Sequence, residues 1–261
     1  MKPIQPLGSL LARLSSRTRR RRRRARRVRE IAARIVRERG ASVLAGPYAE
    51  MAYPAIEAGG SELLPKLLGT YEREIWPLLE LAISRGPELI VNVGCGEGYH
   101  AVGLARRLPE VRVVALDAAP EHQRLCMSMA VANAVSERVQ VMGACDPALL
   151  REFLTPRSLV LCDCEGYELE LLDPTLVPGL RNSDILVEVH DGGASGPIHA
   201  ALYDRFRETH TATHALYRPR AARELQSDWA GLLSPRELAF ALDEYRSKGV
   251  AWLLFAARAQ R

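Results

Sequence analysis

No stretch of this chain approaches the roughly 20 consecutive apolar residues needed to span a bilayer, which argues against an integral membrane protein. Lysine is nearly missing. Lys2, Lys66 and Lys248 are the only ones among 36 basic residues, a bias toward arginine that, with abundant alanine, fits a GC-rich bacterial coding sequence. The five cysteines (Cys95, Cys126, Cys145, Cys162, Cys164) are odd in number, and several fall in apolar, strand-like runs. They read as reduced thiols of a cytoplasmic protein, not a secreted disulfide framework. No second Cys/His pair at ligand spacing accompanies Cys162-Asp163-Cys164, so a structural zinc site is not expected. No aromatic residue interrupts "RTRRRRRRARRVR" (17–29), which argues against base stacking there, and no apolar core of a secretory signal follows it.

What is present divides sharply. Residues 1–40 carry 15 Lys+Arg against 2 Glu, which leaves 21 basic and 29 acidic residues for the remainder. Residues 1–40 therefore read as a basic arm, extended or partly helical because its charges repel, with a helix from Val28 to about Gly40. The arm suits phosphates of nucleic acid or anionic lipid; as a plain solvated tail it would do neither. Residues 41–86 read as a Pro- and Gly-punctuated connector followed by a helix from about Tyr71 to Ser84.

From residue 87 to 261 the pattern alternates. Apolar runs at 88–94, 111–117, 138–144, 157–165 and 183–191 are separated by amphipathic stretches, as in parallel strands covered by helices on both faces. Asp146 and Pro147 suit the start of the helix at 146–154. After Asp191 a helix, a strand within "THALYRP", an irregular "AARELQSDWAGL", a helix opened by a Ser234–Glu237 capping box and a last strand at 250–258 complete about seven strands. The fold class is α/β: a Rossmann-like doubly wound sheet of mostly parallel strands with an N-terminal helical extension. The 191–250 insertion is expected over the carboxyl ends of the strands, where ligands bind.

The first strand runs into Gly94-Cys95-Gly96-Glu97-Gly98. The spacing is G-x-G-x-G, not the G-x-G-x-x-G of dinucleotide folds. The helix that follows opens on Tyr99-His100, and Glu97 would repel a pyrophosphate. S-adenosylmethionine (SAM), a nucleoside without phosphate, is easier to place than NAD. Asp117 ends the second strand 19 residues after Gly98, where a carboxylate accepts ribose hydroxyls. At the third strand end, Asp146 or the Ala144 and Cys145 backbone is placed for the adenine edge, a role that competes with helix capping.

Together, "VNVGCGEGYHAVGLARRLP", "VVALDAAP", "CDCEGYELELLDP" and "DILVEVHD" resemble class I SAM-dependent methyltransferases, and "DCEGYE" is similar to the D-x-E-G-x-E signature of the FkbM-like branch. The resemblance spans about residues 66–191. It implies SAM as cofactor, held by Asn92, Gly94, Gly96, Gly98, Asp117, Asp146 and Tyr71, and methyl transfer to a hydroxyl of a sugar, lipid or other small molecule. Asn92 departs from the family, which commonly carries an acid two positions before the first glycine; an amide accepts a hydrogen bond from the ligand's ammonium without charge.

Methyl transfer needs an aligned nucleophile and a place for the hydroxyl proton. The fourth strand end offers Asp163, then Glu165 and Glu168; the fifth offers Glu188, His190 and Asp191. His190 is the natural base near neutral pH, Asp163 its rival, and Glu165 the third candidate at the reacting end. Glu165 and Glu168 equally suit the first turn of a helix. The same spacing permits a divalent metal on Asp163 with Asp191 or His190 but does not require one, and none is expected. Tyr71 and Glu72 are placed to close over the methionine end, or Tyr71 is simply part of an amphipathic helix. Two other readings stand beside the small-molecule one: an RNA ribose methyltransferase guided by the arginine arm, and a non-catalytic SAM-binding protein. An N-P-P-[YF] tetrapeptide after the fourth strand is absent, which weakens amino-nitrogen targets. Nothing in the sequence reads out the acceptor or the oligomeric state.

Overall fold

The computed structural model describes residues 7–59, 61–190, 196–221, 231–246 and 251–258, with side chains from residue 18 onward. Asp191 and most of "AARELQSDWAGL" lie outside the described residues. Seven strands form one sheet: β1 (Leu89–Val93), β2 (Arg112–Leu116), β3 (Val139–Met142), β4 (Ser158–Cys162), β5 (Asp184–Val189), β6 (His210–Leu216) and β7 (Ala251–Ala257). Their order is β3-β2-β1-β4-β5-β7-β6. The first five are parallel, and β7 runs antiparallel to both β5 and β6. This is the Rossmann-like doubly wound arrangement. The chain reverses direction across the sheet between β1 and β4, and the crevice opens at their carboxyl ends.

Strand alternation splits the core in two. Ile90, Leu159, Leu161 and Leu186 pack with Leu104, Met129 and Ile35 on one face. Val91, Val160, Cys162, Val187 and Phe255 pack with Leu150, Leu202 and Phe206 on the other. Ser158 and His210 open their strands as buried polar residues, and near the carboxyl ends two more interrupt the apolar pattern, Asn92 in β1 and Glu188 in β5. By alternation both point to the first face, and both reach the crevice.

The helices are α1 (Leu7–Arg39), α2 (Leu63–Leu68), α3 (Trp76–Ser84), α4 (Tyr99–Arg107), α5 (Pro120–Ala132), α6 (Pro147–Phe153), α7 (Glu168–Leu171), α8 (Pro197–Phe206) and α9 (Pro235–Ala241). Four sequence expectations shift. The arm is one continuous helix of 33 residues, not extended up to Val28. Arginine is a good helix former, and Ile31, Ala32 and Ile35 anchor the helix in the core. The helix expected from Tyr71 is a 3-10 turn at Arg73–Ile75 and then α3, because Glu72 sits at φ 49 in the left-handed region and Pro77 opens the α-helix. The helix expected over 166–174 is the single turn α7. Strand β6 begins three residues earlier than expected and ends before Arg218-Pro219, its length set by pairing with β7 from His210↔Ala257 to Leu216↔Ala251. The Ser234–Glu237 capping box is formed as expected. Among the described residues no helix is long and apolar enough to cross a membrane.

Candidate active site

The turn after β1 is built from backbone. The N–H groups of Gly94 and Cys95 both bond to the Leu116 carbonyl, at 2.8 and 3.0 Å. Gly94 has φ 75, and a Cβ there would overlap the Asp163 carbonyl oxygen. Only glycine lets β1 and the end of β4 approach this closely. Asp117, just past β2, accepts the Gly96 N–H (2.9 Å) on one oxygen and the Ala119 N–H (2.9 Å) on the other, with His122 Nδ1 at 3.1 Å. A carboxylate has about four acceptor positions, so capacity remains toward the crevice.

These groups line a cavity of about 880 Å³ at the carboxyl ends of the strands. Asn92, Gly94, Gly96, Asp117 and Tyr71 line it, as do Asp163, Glu165 and His190. Gly98 does not; it ends the turn at φ 97, where a Cβ would meet Cys126. Asp146 does not line it either. Its carboxylate caps α6, accepting the Leu149 N–H at 2.8 Å, and the wall beside it is Ala144 and Cys145. Of the two roles open to Asp146, the structure shows the cap.

Glu97 is also displaced from the role expected of it. It is buried and absent from the cavity lining, where Lys66, the Tyr53 hydroxyl (2.7 Å) and the Gly59 N–H (2.7 Å) hold its carboxylate. Burial pushes its pKa up, but Lys66 outweighs that and holds it below the ordinary value. Ionised, paired with Lys66 and behind the cavity wall, it does not face a ligand's phosphate. Besides Asp117 and Glu62, the acids that line the cavity are Glu72, Asp163, Glu165, Glu188 and Glu244.

These five, with Glu168 behind them, form the far end of the site. His190 Nε2 stands 3.6 Å from Asp163, 3.6 Å from Glu165 and 3.5 Å from Glu188, and its Nδ1 stands 3.5 Å from Glu168. Glu168 and Glu188 push the imidazole up to about 11 against the opposing effect of burial. Surrounded by four carboxylates, the imidazole favours its protonated form, in which it has no lone pair to take a proton. Asp163 is raised as well: burial, then Glu188 and Glu72, hold its carboxyl well above the ordinary value. Its Oδ1 is buried without a hydrogen-bond partner. Glu168 is fully buried and also accepts the Gly166 N–H at 3.0 Å, so it supports His190 from behind the cavity wall.

Four groups escaped the sequence: Arg246, Glu244, Lys66 and His122. Arg246, just beyond α9, reaches in to pair with Glu188, Glu72 and Glu244, and donates to the Tyr71 hydroxyl at 2.9 Å. Burial pushes Glu72 up, but Arg246 and His100 (2.7 Å) outweigh it and hold the carboxyl at about 2. Glu244 is pushed up by burial to about 7 despite Arg220 and Arg246. Lys66 had a signal: a lysine inside the apolar "LLPKLL" of a chain almost without lysine. His122 had one too, five residues after Asp117 on the next helix. Arg246 had none. Of the 191–250 insertion, only Glu244, Tyr245 and Arg246 line the cavity among the described residues.

Two groups of side chains bring ligand atoms within 4.8 Å of one another and could hold a metal: Asp163, Glu165 and His190, and Glu72, Asp163 and Glu188.

No family model and no curated protein matches the chain. Solved structures do. Cofactor-bound Rv0187 from MTB is 18% identical, with 72% of this chain and 82% of that one covered at a TM-score of 0.48. The O-methyltransferase TomG from Streptomyces achromogenes, involved in tomaymycin synthesis and solved with SAM, is 18% identical, with 74% and 83% covered at 0.48. An O-methyltransferase from Bacillus cereus in complex with SAH is 17% identical, with 71% and 81% covered at 0.46. At this distance the likeness adds nothing to what the strand order already establishes, and the FkbM-like branch stays a resemblance carried by "DCEGYE".

Proposed function

We propose that this chain is a SAM-dependent methyltransferase that methylates a hydroxyl of a small molecule. One observation carries the reading: a single cavity joins a glycine turn and the Asp117 carboxylate to a far end crowded with acids. Five carboxylates disfavour a diphosphate there and favour a sulfonium cation. Asn92 supports the same ligand. Its buried Oδ1 has no partner among the described residues, while its Nδ2 contacts the Leu161 carbonyl at 3.4 Å. An unsatisfied buried acceptor beside a glycine turn suits the ammonium of an amino-acid tail.

In this reading Asp117 accepts the ribose hydroxyls, the Ala144–Cys145 backbone borders the adenine, and Tyr71 closes the methionine end. Bound there, SAM supplies an electrophilic methyl whose transfer breaks a C–S bond, forms the bond to the acceptor oxygen and leaves the electron pair on a neutral thioether. Asp163 takes the hydroxyl proton. A carboxylate whose pKa is raised is a stronger base, and Asp163 is central to both carboxylate groups. His190, as imidazolium, orients Asp163 and Glu165 and offsets their mutual repulsion. Label from methyl-tritiated SAM should enter hydroxylated small molecules as an alkali-stable ether; label only in esters or amines would overturn the hydroxyl assignment.

The closeness of the Asp163, Glu165, Glu188 and His190 ligand atoms also favours a variant in which a divalent cation takes the place of the His190 proton as counter-charge. Chelation followed by magnesium or manganese decides it: activity lost and restored supports the cation, and unchanged activity rejects it.

A further inference from the structure

The arginine helix is not used by any of this chemistry. Its second half is fixed to the body through Ile31, Ala32 and Ile35, so the axis of its first half is set relative to the cavity. Arg24 marks the join. It pairs with Glu62 and lies over the Tyr245 ring at 3.8 Å, and both partners line the mouth of the cavity. The arginines at 19–23, 26, 27 and 29 are exposed. At 100° per residue, positions 19–23 alone place positive charge around the whole circumference. A groove of about 660 Å³ beside the helix is walled by Arg23, Arg26, Arg27, Arg34 and Arg37, with Glu30 and Glu237 as its acids.

We propose that α1 is a docking helix for the phosphodiester backbone of a nucleic acid, which it holds beside the mouth of the cavity. The charge density fits. Residues 19–29 hold nine arginines over a rise of roughly 15 Å, and a duplex carries roughly nine phosphates over that length. The distribution of charge favours a groove that surrounds the helix over a flat anionic membrane. A helix lying on lipid needs an apolar face, and Ala25 is the only apolar residue between Thr18 and Arg27. With no aromatic in the run, contact is to phosphates, not stacked bases, and carries little sequence preference. The body's surplus of acids keeps the rest of the surface off the backbone.

The test uses the full chain and fluorescence anisotropy with a labelled 20-base-pair RNA duplex, a DNA duplex of the same length and a single-stranded RNA. Vesicles of phosphatidylglycerol and phosphatidylcholine serve as the lipid arm. With five to seven arginines on phosphates, log affinity should fall against log salt with a slope of about −4 to −6 on at least one duplex. Replacing Arg19, Arg20, Arg21, Arg22 and Arg23 by Gln should weaken duplex binding at least a hundredfold and flatten the slope by about 4, while the all-Lys version stays within about threefold of the parent. Gln has helix propensity close to that of Arg, so far-UV circular dichroism and melting temperature should not move in either version, which separates lost docking from lost folding. Duplex binding unchanged in the Gln version overturns the proposal. So does no duplex binding at low salt, or tighter binding to the anionic vesicles than to any nucleic acid at equal phosphate.

Discussion

The two ends of the cavity are built in different ways. At the glycine-turn end, backbone groups do the shaping: Gly94 and Cys95 are tied to Leu116, and Gly96 is tied to Asp117. At the acid end, side chains from four distant stretches meet: Glu72, the 163–168 turn, Glu188 with His190, and Glu244 with Arg246. The first end needs a particular spacing along one stretch of chain. The second needs the whole fold before any of its contacts exist. The two ends should therefore respond separately to substitution.

The largest separation is expected at Asp163. Asp163→Asn should lower the single-turnover methyl-transfer rate by about 10²–10⁴, the usual cost of losing a general base. SAM affinity by calorimetry should change by less than about threefold. Equal losses in both would mean that the ends are not distinct.

Arg246→Met tests whether the acid end depends on the guanidinium that joins Glu72, Glu188 and Glu244. It leaves Glu72 and Glu188, both about 1% exposed, without their guanidinium. Removing one partner of a buried pair costs about 3–5 kcal/mol, read as a lower urea midpoint, and Arg246→Lys should recover part of it. A stability loss near zero would show that these carboxylates are content without the arginine.

At the other end, Asp117→Ala should weaken SAM binding by roughly tenfold to a hundredfold, the equivalent of about 1.5–3 kcal/mol for hydrogen bonds to a charged group. The rate at saturating SAM should stay within about threefold of the parent. A collapse of that rate would place Asp117 in the chemistry.

The legibility of the two ends follows the same division. The five parallel strands, the glycine turn, Asp117 and the Asp163–His190 juxtaposition could all be read from runs of a few residues, because strand alternation and turn spacing are local properties. The sequence pointed to Glu188 and His190 by their place at a strand end. It put His190 forward as the base without the effect of its surroundings, where four carboxylates from residues 163 to 188 favour the protonated imidazole. It misjudged Glu97 for the same reason: Lys66 and Tyr53 neutralise it from 31 and 44 residues away. Arg246 follows a short helix and gives no local hint of where its guanidinium goes. Asp146 was ambiguous between cap and ligand, and the three-residue distance to Leu149 settled the cap.

The smallest effect concerns pH. The folded pKa of His190, about 11, lies above the unfolded value of about 6.5. Its contribution to stability is therefore fully present below about pH 6.5 and is lost as pH rises toward 11. Glu72 runs opposite: held at about 2, its contribution is present above about 4.5 and lost as pH falls toward 2. The difference in urea midpoint between the parent and His190→Gln should be larger at pH 6 than at pH 10. A difference that grows with pH would contradict the protonated His190.

The central claim is that the glycine turn and the acid-rich cavity take a sulfonium nucleoside, not a dinucleotide. Calorimetric titration of the purified chain with SAM, and separately with NADH, tests it most directly. We predict one-site binding of SAM that weakens in Asp117→Ala, and no heat with NADH. Binding of NADH with none of SAM would contradict the account.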